Sequence, residues 1–190
     1  MNEAVWGLIG IGVGWLLNEF SSYIKIKKED RTLKENVKLL LMSECEENKR
    51  NLKQYFDHLV DDVSGDNEES IKRKYVDKLC NYPLPNFSYE AYLSQLSFLG
   101  RTFKINIISN IIGIYGRFSQ LKTIYGSIKE LEGELLAAQN TYNSTSNLNI
   151  RNNLEMISKN KIKSAMELWD LFVEEKERIL STNPFEIHNN

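Results

Sequence analysis

His58 and His188 are the only histidines of the 190-residue chain, and Cys45 and Cys80 its only cysteines. These are the side chains best suited to proton transfer, nucleophilic attack or zinc binding. Their spacing argues against all three. Zinc sites draw on close pairs such as Cys-x-x-Cys or His-x3-His, and the chain has no such pair. His58 stands among Asp57, Asp61 and Asp62 and reads as a solvated surface histidine; His188 lies in the terminal segment. Cys45 falls on an apolar stripe and Cys80 at a helix end, so both read as small packing residues. Two lone thiols suit a reducing compartment better than a disulfide scaffold. The glycines of Gly10-Ile11-Gly12-Val13-Gly14 are followed by Trp15 rather than Lys-Ser/Thr, which excludes a phosphate loop. Glu44, Glu46 and Glu47 beside Lys49 and Arg50 read as an exposed charged face. No catalytic, cofactor or metal residue is assigned, and the chain is expected not to be an enzyme.

One helix resembles a known catalytic pattern. HEPN ribonucleases are small helical bundles that carry an arginine, a short spacer and a histidine on one helix. Arg50 and His58 are similar, with a spacer of seven residues that is longer than in that motif. The resemblance covers this helix alone and implies, as an alternative reading, a helical ribonuclease.

The elements around these residues are more informative. Ala4 to Leu17 is an unbroken apolar run of fourteen residues, about 21 Å as a helix against a hydrocarbon core of about 30 Å. Extended to Ile24 it is long enough to cross, with Asn18 and Glu19 near one headgroup layer. Lys25, Lys27, Lys28 and Arg31 follow immediately, while Glu3 is the one charged side chain ahead of the run. The positive-inside bias then predicts a single-pass anchor in the cell inner membrane, with its N-terminus outside and residues from 25 onward cytoplasmic. The basic cluster is expected to face anionic lipid, each cation contributing about 1 kcal/mol. Gly7, Gly10, Gly14, Asn18 and Ser21 fall within about 40° of one line on the helix. That ridge of small and polar side chains, including a GxxxG pair, is expected to associate with another helix.

Residues 25–190 hold all 24 lysines and arginines and every acid except Glu3 and Glu19, so the part beyond the anchor is balanced near zero. It carries no strong nucleic-acid signal. Helical spacing dominates it. Leu33, Val37, Leu40, Leu41, Cys45, Leu52, Tyr55, Phe56, Leu59 and Val63 step by three or four nearly throughout, with Asn48 filling one gap. Asp66 with Glu69 predicts a capping box for a helix near 67–80. The prolines of Asn81–Ser88 predict a loop, then a short helix over 89–99 closed by Gly100. A long helix over 103–142 repeats apolar groups every 3.4 residues on average, near a coiled-coil period, and a last helix covers 150–180. The aromatics between Tyr75 and Phe98 are candidates for a partner groove.

The expected architecture is all-α: an N-terminal single-pass transmembrane helix (1–25), a juxtamembrane stalk helix (26–63), a cytoplasmic up-and-down bundle of long helices (64–182) and a flexible tail (183–190). The expected function is protein binding and oligomerisation at the cytoplasmic face of a bacterial membrane, as adaptor, sensor or effector, with phage defence as an architectural analogy. Its partners are membrane lipid and either a second copy or another membrane or cytoplasmic protein. A membrane-perturbing toxin or pore former is the other alternative.

Overall fold

The computed structural model describes residues 2–61, 63–65 and 67–186, with side chains from residue 15 onward. It is all-helical, and no strand occurs among the described residues. The helices are α1 (Asn2–Val60), α2 (Glu68–Asn81), α3 (Glu90–Thr102), α4 (Ile105–Ser144) and α5 (Leu148–Ser181). α1 is a single helix of 59 residues, about 88 Å long. No glycine or proline interrupts it after Trp15, and it runs without a break into the bundle.

The other boundaries follow from local chemistry. Asn67 caps α2, accepting from the Ser70 backbone N–H at 2.8 Å, with Glu68 and Glu69 complementing the helix dipole. The cap is therefore one residue beyond the Asp66 expected from sequence. Pro83 forces Tyr82 into extended backbone and ends α2. Gly100 does not close α3, which runs on to Thr102. Three residues join α4 to α5, and the Asn147 side chain starts α5 by accepting from Asn149 and Ile150.

Antiparallel pairing follows from these short connections. Arg117 of α4 meets Glu175 of α5, and Glu134 meets Lys161, so the two longest bundle helices form a hairpin. α2, the proline loop and α3 together run antiparallel to α1: Tyr55 reaches Tyr82, Asn48 reaches Ser88, and Asp30 reaches Arg101. The core lies between these runs. Val37, Leu41, Cys45, Leu52 and Leu59 of α1 pack with Val76 and Leu79 of α2, Ile111 to Ile128 of α4, and Ala165 to Ile179 of α5. Trp169 is the hub at the lower end, 5.8 Å from the Phe56 ring and 5.1 Å from Tyr75. Of the expected tail, Asn183–Glu186 forms a turn with Pro184 buried and Phe185 5.8 Å from Phe103; residues 187–190 lie outside the described residues.

The membrane-spanning expectation is not carried by this structure. Among the described residues no helix is long and apolar enough to cross a membrane. From Trp15 onward α1 meets Asn18, Glu19 and Lys25, which leaves too few consecutive apolar residues for a 30 Å core. Residues 4–14, which supply most of the apolar run, lie outside those whose side chains are described.

Glycines 116 and 126 sit inside α4 on its exposed side, with open space where a Cβ would project. Helical glycine costs about 1 kcal/mol relative to alanine. Gly116→Ala and Gly126→Ala are each expected to raise the thermal midpoint by about 2–4 °C, measurable by circular dichroism.

Candidate functional site

Two regions stand out by their chemistry: a carboxylate buried inside the bundle and the solvent-facing outer part of α1. The first begins with Glu44, which is buried on α1, not part of the exposed charged face expected from sequence. Glu46, Glu47 and Arg50 do face solvent. One Glu44 oxygen accepts from Ser88 Oγ at 2.9 Å and from the Ala91 N–H at 2.7 Å. The other accepts from the Tyr92 N–H at 3.1 Å and from Tyr115 Oη at 2.7 Å. Ala91 and Tyr92 are in the first turn of α3, whose own N-cap residue, Tyr89, makes no capping hydrogen bond. Glu44 thus caps α3 from another helix and meets the positive end of its dipole.

One turn along α1, Asn48 grips the same segment. Its amide nitrogen donates to the Ser88 carbonyl at 2.7 Å, and its oxygen accepts from the Ser88 N–H at 2.8 Å. Further along, the Tyr55 and Tyr125 hydroxyls both donate to the Tyr82 carbonyl, at 3.1 and 3.2 Å. The proline loop is therefore fixed at both ends. Burial pushes the Glu44 carboxyl upward, but its hydrogen bonds, Tyr115 first, outweigh this and hold it below the usual carboxylate range. Burial, reinforced by the bond to Glu44, pushes the Tyr115 hydroxyl upward. Every lone-pair direction of Glu44 is engaged by this chain, so the cluster is a structural joint.

A second buried carboxylate, Glu175, is held by Arg117 at 3.0 Å and Arg178 at 3.5 Å. Its neighbour Lys176 lies 3.7 Å above the Phe56 ring, a cation–π contact, and pairs with Glu177 at 2.5 Å. Between α2 and α4, an open groove of about 560 Å³ contains Arg73, Cys80 and Lys129. Arg73 is forked onto Glu132 at 2.5 and 2.8 Å, which neutralises its charge there. Burial pushes both thiols, Cys45 and Cys80, up to about 11, which keeps them protonated at neutral pH and agrees with their packing role.

The outer part of α1 contrasts with this interior. Residues 15–32 are exposed on every side, and among the described residues the first fully buried side chain is Val37. Trp15, Leu16, Leu17, Phe20, Tyr23, Ile24 and Ile26 are each at least half exposed. At 100° per residue they occupy an arc of about 200°, interrupted only by Glu19. Asn18, Ser21 and Ser22 occupy the opposite side, and the line continues through Lys25, Lys28 and Thr32. Lys25, Lys27, Lys28 and Arg31 are all exposed, and Arg31 pairs with Glu35 at 3.2 Å. Of the expected helix-association ridge, Asn18 and Ser21 are exposed; Gly7, Gly10 and Gly14 lie outside the residues whose side chains are described.

The remaining sequence candidates are dispersed. Arg50 and His58 are both exposed and about 12 Å apart along α1, and the His58 ring stands edge-on to Tyr82 at 4.7 Å. The aromatics between 75 and 98 mostly turn inward: Phe87 packs on Phe118 at 4.8 Å, and Tyr92 stacks on Tyr115 at 4.3 Å. Tyr82 and Phe98 stay exposed. Among the described residues no group of acids, histidines and cysteines is arranged to hold a metal ion. Comparison with protein-family models, curated proteins and solved structures finds no match to this chain.

Glu44→Ala leaves four donors without their acceptor and is expected to cost about 3 kcal/mol, read from urea unfolding. The pH dependence has a definite sign. Because folding lowers the Glu44 pKa, its contribution is full above the unfolded carboxyl value of about 4.3 and fades as pH falls through the lower folded value. The stability gap between wild type and Glu44→Gln is therefore expected to be widest near neutrality and to shrink with acidification below about pH 4.

Proposed function

We propose that the protein is a membrane-associated helical scaffold that acts by binding and self-association at a bilayer surface, with the outer part of α1 seated in lipid. The supporting observation is the continuity of α1. Its inner half is buried in the bundle, while residues 15–26 of the same helix present seven large apolar side chains to solvent. An apolar arc of that breadth is costly in water and is matched by acyl chains. The basic residues below it match anionic headgroups and the positive-inside orientation, with the bundle on the cytoplasmic side of an inner membrane.

The polar line of Asn18 and Ser21 supports the self-association part of this reading. Polar side chains at membrane depth avoid lipid by facing another helix, and glycines on the same line allow close approach. Gly7, Gly10 and Gly14 continue that line in the sequence. A second copy supplies the matching surface without any other partner. The bundle then acts as the binding module.

Flotation with vesicles tests the reading. The full chain is expected to rise with the lipid, and a Leu16→Ser, Leu17→Ser, Phe20→Ser variant to stay largely behind while keeping its helical circular dichroism. Wild-type chain left at the bottom of the gradient would overturn membrane association. Gly10→Leu with Gly14→Leu is expected to float normally but to lose most cross-linked oligomer; unchanged cross-linking ends the self-association reading. Depolarisation of cells expressing the chain would instead point to a membrane-perturbing effector. RNA cleavage abolished by His58→Ala would point to a HEPN-like ribonuclease.

A further inference from the structure

The corner between α3 and α4 lies at the same end of the bundle as the outer part of α1. Arg101, in the last turn of α3, reaches Asp30 of α1 at 3.2 Å. Phe103 turns inward beside Phe185, and Lys104 and Ile105 turn outward. Ile105 is 81% exposed, the most exposed large apolar side chain among the described residues. Asp30 itself faces the corner; Lys27 and Arg31 of α1 lie about 60° and 100° round the helix from it, and flank the corner with positive charge, Arg31 being shared with Glu35.

Resting on the reading that α1 is seated in a bilayer, we propose that this corner is a second contact with an anionic lipid surface. Ile105 enters the interfacial layer while Lys104, Lys27 and Arg31 lie against lipid phosphates. Asp30 is six residues from Ile24, about 9 Å along the axis. The headgroup layer on each side of the core is about 5–7 Å thick. Membrane helices tilt by about 20° on average, and the corner stands about 10 Å to one side of the α1 axis. A tilt toward the corner lowers it by about 3 Å, which brings the level of the Arg101–Asp30 pair to that layer, with Ile105 beside it. The contact is therefore also a choice of tilt direction. Continuity with the apolar segment of α1 and the positive charge favour lipid over a protein partner for this surface.

The test places an environment-sensitive fluorophore at the corner of the full chain. Ile105→Cys, in a Cys80→Ser background, is labelled and reconstituted in phosphatidylcholine vesicles with and without phosphatidylglycerol. Ser146→Cys, between α4 and α5 at the far end, is the reference. The label at 105 is expected to shift to the blue in anionic vesicles and to lose most of that shift with Lys104→Glu; the label at 146 is expected to report water throughout. A chain that floats with the vesicles but gives a water-like spectrum at 105 overturns the corner contact and leaves the seating of α1 standing. A shift at 105 that is equal in neutral vesicles and indifferent to Lys104→Glu overturns its anionic specificity. A chain that does not float removes both.

Discussion

The carboxylate of Glu44 is the point on which the bundle's architecture rests. α2 and α3 have 14 and 13 residues, lengths at which isolated helices are marginal, and two prolines separate them. On their own they would be poor partners for a helix as long as α1. Glu44 and Asn48 turn them into one antiparallel run by bonding Ser88 near the end of the loop and the first turn of α3. Burying a charge without compensation would cost far more than the joint gains. The four donors arrive from the loop, α3 and α4, so the penalty is offset only when all three are in place. That makes the joint cooperative: α1, α3 and α4 become mutually dependent at one side chain.

Much of the fold was legible because helical burial has a short period. The stripe on α1 from Val37 to Leu59, the long α4–α5 hairpin and the proline loop follow from three- and four-residue spacing and from proline stereochemistry. What escaped was decided by distant partners. Glu44 looks like its neighbours Glu46 and Glu47 in the sequence; Ser88, 44 positions away, makes it different. Asn48 carried the available signal: a polar residue at an apolar position of the stripe, with one interior hydrogen-bonding group one turn before it. Gly100 misled because a helical glycine ends a helix only when the next residues leave it, and here they continue to Thr102. At the outer end of α1, composition identified the apolar run and the basic cluster. The side-chain environment at Gly7, Gly10 and Gly14 lies beyond the described residues, so the ridge rests on spacing alone.

The two ends of the molecule differ in kind. At the α1 end, apolar side chains and cations crowd around a single protruding helix. At the other end, α4 and α5 extend past the main core, held by Leu135, Ala138 and the Lys161–Glu134 pair. Their connection is polar, from Thr145 to Asn147. A thin two-helix projection of this type depends on its own narrow seam and tolerates surface substitution better than the middle of the bundle does.

The unbroken run of α1 also sets a rotational phase. Each residue turns the helix by about 100° and advances it by about 1.5 Å, and no hinge lies between Trp15 and the first core residues to absorb either change. The azimuth of the bundle around the helix axis is thus geared to whatever grips the outer segment. A single inserted or deleted residue near Thr32 would swing the whole bundle by more than a quarter turn while hardly altering its height. α1 behaves as a driveshaft, and the number of residues along it is itself part of the design.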